Sequence, residues 1–404
     1  MLGILLVVTG ACRPPRSGWR DYPRPRLPGD LFANAVAALQ HSYYDTAFVR
    51  TELPALVEEF RPAAENAADP TAERQVIWQF LSRIRATHFA LLSVNSYNAL
   101  ITDLSDAGRV MTGMQLTNLG GRYFATGVLP GGPAEAAGVA DWDEVVSING
   151  TATAASTRLD WRSDDIGLPD DRDPPVHELT PTYGDTLRLR IVRVPSETLA
   201  AAVIPVIYSV LRAARASARI ITYKGVRVGY MHWWFMHTRG HAREFGAALS
   251  GPLESSEVLL LDLRGRGGSD QAVKDVLEML SPGPKQRFAG PIVALIDGHT
   301  RSAKEELAYE VRARGLGRLV GEPSAGAFVA LGFELIDAHT ILTLPGKAIP
   351  PYTELIEGHP ISPDVLAPVP GPYAAGNDPI VAAGLEEAVR LVKEQGPGFT
   401  RAPS

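Results

Sequence analysis

From about residue 218 onward, short apolar segments alternate with amphipathic ones, and this alternation is the strongest constraint on the fold. The apolar segments have the length of strands buried on both faces, and the amphipathic ones carry apolar residues at helical spacing. Buried strands between such helices favour an α/β unit with a mostly parallel sheet. Strands are predicted at 226–231, 258–261 and 292–296, and helices at 242–249, 272–280 and 302–314.

The region 31–103 is predicted to be a mostly helical N-terminal part. Its apolar residues recur at three- and four-residue steps, as Leu53, Leu56 and Phe60 do. The last helix before the apolar stretch that follows is expected to end near His88. This region therefore precedes the α/β unit as a separate helical part.

The region 104–196 has a different pattern, in which a strand, a turn, a short helix and a second strand follow one another. The run GGPAEAAGV at 131–139 leads into DWDEVVSING at 141–150, and its final Asn-Gly pair is a strong signal for a tight turn. This order of motifs resembles a PDZ domain. An acidic, Pro-rich insertion at 160–181 interrupts the resemblance before a strand at 187–192.

A PDZ-like domain implies a peptide-binding function. Such domains add an extended peptide, often its free carboxyl end, to the edge of a sheet. Gly127, Val128 and Leu129 are the residues predicted to bind that peptide. The alternative is a small β-domain with a purely structural role.

The size and charge of the chain limit the other possibilities. A length of 404 residues predicts two or three compact units, and 45% hydrophobic residues is an ordinary globular content. The formal net charge is -6 and the isoelectric point is near 5.9, so no basic surface is expected. Nucleic acid is therefore excluded as a predicted partner.

The single cysteine of the chain, Cys12, follows a short apolar run and the small residues Gly10 and Ala11. The segment 1–12 resembles a lipoprotein-type signal, in which the cysteine is acylated, and it is too short to span a bilayer. The Pro- and Arg-rich segment 13–30 then reads as a tether. The predicted location is the cell envelope, with the protein lipid-anchored, periplasmic or extracellular. The alternative is an incidental or buried cysteine, or a misassigned start.

Ser302 stands where the predicted strand 292–296 passes through a turn into a helix. A serine at this point directs its hydroxyl and the first free helix N–H groups toward one place, where an oxyanion can be bound. The alternative reading is an ordinary N-cap, with Glu305 completing a capping box.

Three separated motifs carry a family resemblance. In chain order they are LDLRGRGG at 261–268, SAKE at 302–305 with RLVGEPSAG at 318–326, and IEGHPISPDV at 356–365. They resemble, in the same order, the motifs of the tail-specific (C-terminal processing) serine proteases. The resemblance implies a ClpP/crotonase-like catalytic core at 197–395. With Ser302 as nucleophile, it also implies an oxyanion hole formed by Ala303 with Gly267 or Gly268.

The general base does not follow the commonest pattern of that family. The resemblance implies a lysine at position 327, and this chain has Ala327. A second, tricorn-like branch uses Ser, His and Glu, and carries a small hydroxyl residue followed by histidine before the PDZ-like domain. The pair Thr87-His88 matches it. The resemblance then implies His88 as base, Thr87 as the residue orienting its ring and Glu357 as the acidic member.

Other residues near the motifs are alternatives. His299 and Lys304 are close to Ser302 in sequence, which does not place either side chain on its hydroxyl. His237 and His241 have a spacing that grips a metal on one helix, but Gly240 between them suggests a turn. No metal and no cofactor is therefore predicted. The aromatic residues at 233–235 are most simply core and cleft wall.

The sequence thus predicts a serine peptidase that acts on unfolded or tail-exposed proteins in the cell envelope. Membrane attachment is expected through the lipid anchor only, and an oligomer is compatible with the sequence. The alternatives are a catalytically inactive peptide-binding scaffold and a ligand carrier of the same fold. Ala327 keeps both alternatives open.

Overall fold

The computed structural model describes residues 29–105, 107–161 and 176–395. The predicted signal with Cys12, nearly all of the tether and most of the insertion lie outside these residues. In the described part of the chain, no helix is long and apolar enough to cross a membrane.

The helices and strands are numbered in chain order. The helices are α1 (Asp30–Ser42), α2 (Thr46–Thr51), α3 (Leu53–Glu65), α4 (Pro70–Leu81), α5 (Val94–Leu104), α6 (Pro133–Ala136), α7 (Val210–Ser217), α8 (Arg239–Leu249), α9 (Asp270–Leu280), α10 (Ala303–Ala313), α11 (Tyr352–Ile356) and α12 (Pro379–Gln395). The strands are β1 (Ala90–Ser93), β2 (Arg109–Met111), β3 (Gln115–Leu119), β4 (Arg122–Thr126), β5 (Glu144–Ile148), β6 (Thr151–Ala152), β7 (Leu159–Trp161), β8 (Val176–Leu179), β9 (Leu187–Val194), β10 (Glu197–Val203), β11 (Val206–Tyr208), β12 (Arg219–Tyr223), β13 (Val226–His232), β14 (Val258–Asp262), β15 (Ile292–Ile296), β16 (Gly317–Gly321), β17 (Ala330–Leu335), β18 (Thr340–Lys347) and β19 (Val365–Leu366).

The described residues form two compact units, and the first contains 29–99 and 327–358. Asp45 and Asp69 cap α2 and α4 by accepting bonds from two backbone N–H groups each. The predicted helical content of this region is confirmed in α1 to α4. Their apolar faces pack on one another and on apolar residues of β18.

The first unit also contains a three-stranded antiparallel sheet of order β1-β18-β17, which the sequence did not predict. In addition, α4 ends at Leu81, so the expectation that a helix ends near His88 is wrong. Thr87 and His88 lie instead in the connection to β1. His88 has φ 67°, a left-handed conformation that interrupts any helix, and its carbonyl accepts a bond from Thr343 Oγ1 of β18 at 2.9 Å.

The second unit contains the remaining described residues, and one of its apolar cores surrounds a six-stranded sheet. The strand order is β12-β13-β14-β15-β16-β19, with β12 antiparallel and the other pairings parallel. The three strands predicted here correspond to β13, β14 and β15. The predicted helices correspond to α8, α9 and α10, although α8 begins at Arg239 and includes Gly240.

A second sheet of this unit covers the region with the PDZ-like motifs. It is antiparallel, with the order β10-β9-β5-β4-β3-β8-β7, and β6 pairs with β5. Asn149 and Gly150 form the predicted tight turn between β5 and β6, and both have positive φ angles. One face buries a separate apolar cluster that includes Leu116, Ile148 and Leu189.

Gly321, the last residue of β16, lies very close to the neighbouring strand β15. Gly321 has φ 131°, and a Cβ there would lie 2.0 Å from the carbonyl oxygen of Ile296, the last residue of β15. We expect Gly321→Ala to lower the free energy of unfolding by roughly 3 kcal/mol or more, from backbone strain and overpacking. The measurement is denaturant unfolding followed by circular dichroism.

The matched control is Gly315→Ala. Gly315 has φ 66°, and a Cβ added there would meet no atom within 4 Å, so only the left-handed strain of about 1 kcal/mol applies. Equal losses in the two variants would contradict the role of close packing at Gly321.

Candidate active site

Ser302 is the N-cap of α10 and is partly exposed. Its backbone has φ 56° and ψ -131°, outside the regions that non-glycine residues normally occupy. Such strained residues cluster at functional sites, because surrounding structure must hold them. The strand, the turn 297–300 and the helix predicted around Ser302 are all present.

The carboxylate of Glu305 holds this strained residue. Glu305 is fully buried, and its Oε2 accepts a bond from the Ser302 backbone N–H at 3.0 Å. Its Oε1 accepts from the hydroxyl of Ser324 at 2.5 Å and from the N–H of Gly326 at 2.7 Å. The capping-box interaction therefore exists, and the same carboxylate fixes the segment that follows β16.

The glycine loop, defined as residues 264–268, lies against Ser302. A Cβ on Gly267 would be 2.8 Å from the Ser302 Cβ and 3.1 Å from the carbonyl oxygen of Arg301, so only glycine fits there. Ala303 is the first residue of α10, and its N–H has no acceptor one turn earlier in the helix. The predicted oxyanion residues Ala303 and Gly267 thus both adjoin Ser302.

A backbone pairing supports the other end of this loop. The N–H of Met236 donates to the carbonyl oxygen of Gly267 at 3.1 Å, and the N–H of Ser269 donates to that of Met236 at 2.9 Å. A Cβ on Gly268 would lie 2.2 Å from the Met236 oxygen. The predicted core role of the aromatic segment 233–235 is confirmed for Trp233 and Phe235, which are buried.

Lys304 is fully buried, and its Nζ donates to the carbonyl oxygens of Trp233 and Arg264. Burial lowers the pKa of Lys304 to about 7, against the opposing effect of the nearby carboxylates of Asp262 and Asp297. From the sequence, Lys304 is only an alternative base. Nothing in the sequence predicts its burial, because lysine side chains are mostly exposed.

The first unit holds a second group of predicted residues in hydrogen-bond contact. Thr87 Oγ1 lies 2.7 Å from His88 Nδ1 and donates to Glu357 Oε2 at 3.0 Å. The N–H of Thr87 donates to Glu357 Oε1 at 2.7 Å, and that of Phe328 donates to Oε2 at 2.6 Å. Glu357 directly follows α11, which positions it.

These contacts assign the tautomer of His88. A hydroxyl has one proton, and Thr87 gives it to a carboxylate, which only accepts. Thr87 Oγ1 must then accept from Nδ1–H of His88, which leaves the lone pair of the imidazole on Nε2. An imidazole in this tautomer can act as a general base through Nε2.

The remaining candidates contribute less. His299 is exposed in the turn before Ser302, and Ala327 is buried in the first unit. His237 precedes α8, whereas His241 lies within it, so the two do not share a helix face. Among the described residues, no group of three or more His, Cys, Asp or Glu side chains is placed to hold a metal ion.

The predicted peptide-binding residues lie in a turn beside the β-sheet. The N–H of Val128 donates to Asp141 Oδ1 at 2.9 Å, and that of Leu129 donates to the carbonyl oxygen of Gly113 at 2.8 Å. Burial raises the pKa of Asp141 to about 6. Both amides are therefore bonded within the chain, and a peptide would have to displace these partners.

Residues 278–367 match the sequence profile of peptidase family S41. The matched segment includes Ser302, the motif at 318–326 and Glu357, and it confirms the resemblance to the tail-specific protease family. A match to this family indicates a serine-type peptidase, which is a hydrolase. No curated protein matches the chain.

Several solved structures have a similar fold. The tricorn protease has a TM-score of 0.53 at 16% identity, with 91% of this chain and 37% of that chain covered. A putative S41 protease from Bacteroides fragilis NCTC 9343 has a TM-score of 0.53 at 15% identity, covering 90% and 97%. Mature CPAF complexed with lactacystin has a TM-score of 0.52 at 11% identity, covering 91% and 99%. These similarities confirm a mixed α/β fold with several sheets.

The close approach at Gly267 gives a direct test of the site. We expect Gly267→Ala to lower the rate of covalent labelling of Ser302 by a fluorophosphonate at least tenfold, because the methyl group would displace either the glycine loop or the Ser302 side chain. Labelling is quantified by intact-protein mass spectrometry.

The control is Gly298→Ala in the neighbouring turn, where a Cβ meets no atom within 4 Å. Gly298→Ala should label at the wild-type rate. Unchanged labelling of Gly267→Ala would contradict the placement of this loop against Ser302.

Proposed function

We propose, from the match of residues 278–367 to peptidase family S41, that this chain is a serine peptidase in which Ser302 is the nucleophile and His88 the general base. The observation that carries the proposal is the hydrogen-bonded series of Glu357, Thr87 and His88, which leaves the lone pair of His88 on Nε2. This series supplies a base where the chain has Ala327 and no lysine.

The proposed reaction is acyl transfer in two steps. Ser302 Oγ attacks the carbonyl carbon of the peptide bond, and His88 Nε2 accepts the hydroxyl proton. The oxyanion is bound by the N–H of Ala303 and by that of Gly267 or Gly268. The imidazolium then donates its proton to the leaving amine, and water hydrolyses the acyl-enzyme by the same route.

Thr87 and Glu357 support the charged imidazole. As His88 becomes protonated on Nε2, its Nδ1–H remains bonded to Thr87, whose own proton is directed at the Glu357 carboxylate. The negative charge of Glu357 thus stabilises the imidazolium through one intervening hydroxyl. Glu357 is itself oriented by the backbone N–H groups of Thr87 and Phe328.

We further propose that the antiparallel sheet of 104–196 is a PDZ-like domain that recognises the tails of unfolded proteins. Two features support this: the motif at 131–139 and the turn at Gly127, Val128 and Leu129 that follows β4. A tail carboxylate would replace Asp141 as acceptor of the Val128 N–H. Because the Asp141 carboxylate already accepts this bond, the exchange would require the turn to open.

Two other functions make different predictions. An inactive scaffold or a ligand carrier of this fold requires neither a strained serine nor a histidine with a defined tautomer. The φ and ψ angles of Ser302 and the Thr87 relay therefore favour the enzyme. A scaffold would bind peptides equally well with and without Ser302.

The proposed roles predict how the variants rank. We expect Ser302→Ala and His88→Ala each to lower kcat for an unfolded casein or a tagged peptide by about 10³-fold or more, because the members of one nucleophilic unit fail together. Glu357→Gln should lose less, since it acts on the base through Thr87. Activity should fall as the pH drops through roughly 6–7, where an ordinary imidazole becomes protonated.

The measurements are kcat and KM from pH 5 to 9, together with fluorophosphonate labelling. No hydrolysis of any peptide and no labelling of the wild-type chain would remove the enzyme proposal. If His88→Ala keeps its activity and His299→Ala loses it, the general base lies in the segment around Ser302 and not at His88.

We also propose that the mature protein is attached to a membrane in the cell envelope by acylation of Cys12. The support is the apolar run and the small residues before this only cysteine. A multiply acylated cysteine gives stable attachment, whereas one acyl chain binds only marginally.

We expect Cys12→Ser to move the protein from the membrane fraction to the soluble fraction. Fractionation followed by mass spectrometry of the N-terminus is the measurement. A wild-type protein that is soluble and still carries the residues before Cys12 would refute the anchor.

A further inference from the structure

The buried amine of Lys304 is hydrogen-bonded to the backbone of the glycine loop. Its Nζ donates to the carbonyl oxygen of Arg264 at 3.1 Å and also to that of Trp233. His232 Nε2 donates to the same Arg264 oxygen at 3.1 Å. The peptide group between Arg264 and Gly265 is therefore fixed by two side chains from two different elements, α10 and β13.

The two carbonyl groups that Lys304 binds belong to the first residues of two segments. These are 233–236 and the glycine loop, which pair with each other through backbone bonds. Trp233 begins the segment that leads to Met236, which pairs with Gly267 and Ser269 through the N–H···O bonds described above. Arg264 begins the glycine loop itself. Fixing both starting points restricts the peptide groups up to Gly267, whose Cα lies against the Ser302 side chain.

The surroundings of Lys304 favour a role as hydrogen-bond donor to the glycine loop over a role as general base for Ser302. Five titratable or charged side chains interact electrostatically with Lys304, each from a different segment of the chain. They are Asp262, Asp297, Arg266, His232 and His241. With a pKa lowered to about 7, both forms of the amine are populated near neutral pH. Each form has the two N–H bonds that the two carbonyl groups need. Holding the loop therefore does not require the positive charge.

We propose that Lys304 is a positioning residue of the catalytic site, which aligns the oxyanion-binding amides of the glycine loop with Ser302 through its bonds to Trp233 and Arg264. The inference rests on the proposed peptidase function, which assigns the oxyanion to these amides. Lys304 makes no contact with the substrate in this role. It acts only through the backbone that it holds.

The kinetic test compares Lys304→Met with Lys304→Gln. Methionine has similar length and no donor, whereas glutamine keeps two N–H bonds without a charge. We expect Lys304→Met to lower kcat by about 10²-fold with KM changed less than threefold, because oxyanion binding strengthens in the transition state. Its affinity for a peptide aldehyde, which forms a tetrahedral adduct with serine, should fall by a similar factor. Lys304→Gln should regain at least tenfold of the lost kcat.

The matched control is Lys274→Met on α9. Lys274 is exposed, and its Nζ lies 3.2 Å from the carboxylate of Asp270. It should keep wild-type kcat and KM. Wild-type kcat in Lys304→Met would overturn the proposal. So would a Lys304→Gln variant as inactive as Lys304→Met, which would instead make Lys304 a catalytic base.

A second measurement does not depend on activity. In hydrogen exchange of the full chain, the N–H groups of Met236 and Ser269 should exchange about tenfold faster in Lys304→Met, while those of β14 and α12 stay at wild-type rates. Unchanged exchange at Met236 and Ser269 would overturn the positioning role. If the wild-type chain hydrolyses no peptide, the peptidase proposal fails, and this exchange experiment still decides whether Lys304 holds the loop.

Discussion

The hydrogen bonds of the Glu305 carboxylate are the interactions on which the geometry of Ser302 depends. One of the carboxylate oxygens binds the backbone N–H of Ser302, and the other binds Ser324 and Gly326. The start of α10 is also where a negative charge is favourable, because the first helix N–H groups carry partial positive charge. A buried carboxylate can thus hold Ser302 in a conformation that its own φ and ψ preferences would not select.

The parallel sheet explains why three segments of the second unit come together at Ser302. The aromatic segment 233–235 with Met236 follows β13, the glycine loop follows β14, and the turn before Ser302 follows β15. Neighbouring parallel strands end at the same edge, so the three segments are brought together there. Gly267 then permits van der Waals contact with Ser302, and the buried amine of Lys304 satisfies the carbonyl oxygens of Trp233 and Arg264.

Much of the second unit was predictable, because its signals are local. The strand β15 was predicted with its observed ends, and α10 to within one residue, since an uninterrupted apolar run and a helical period appear in consecutive residues. The sheet of the first unit was missed. Its pairing of β1 with β18 joins segments about 250 residues apart, as Ala90 opposite Thr343 illustrates, and no local pattern encodes such a partner. The same strands determine where His88 lies, so its predicted position at a helix end was wrong.

The amino-acid sequence by itself determined which chemical groups are available: a serine before a helix, a Thr-His pair, Glu357 within a recognisable motif, and alanine at position 327. These are properties of residue type and spacing, which folding does not change. Only the tertiary structure decided that Thr87 bonds both His88 and Glu357, which assigns the imidazole tautomer, and that Lys304 is buried against two carbonyl groups. Those outcomes depend on hydrogen bonds between residues distant in sequence, and the distances between such residues are set by strand register and core packing.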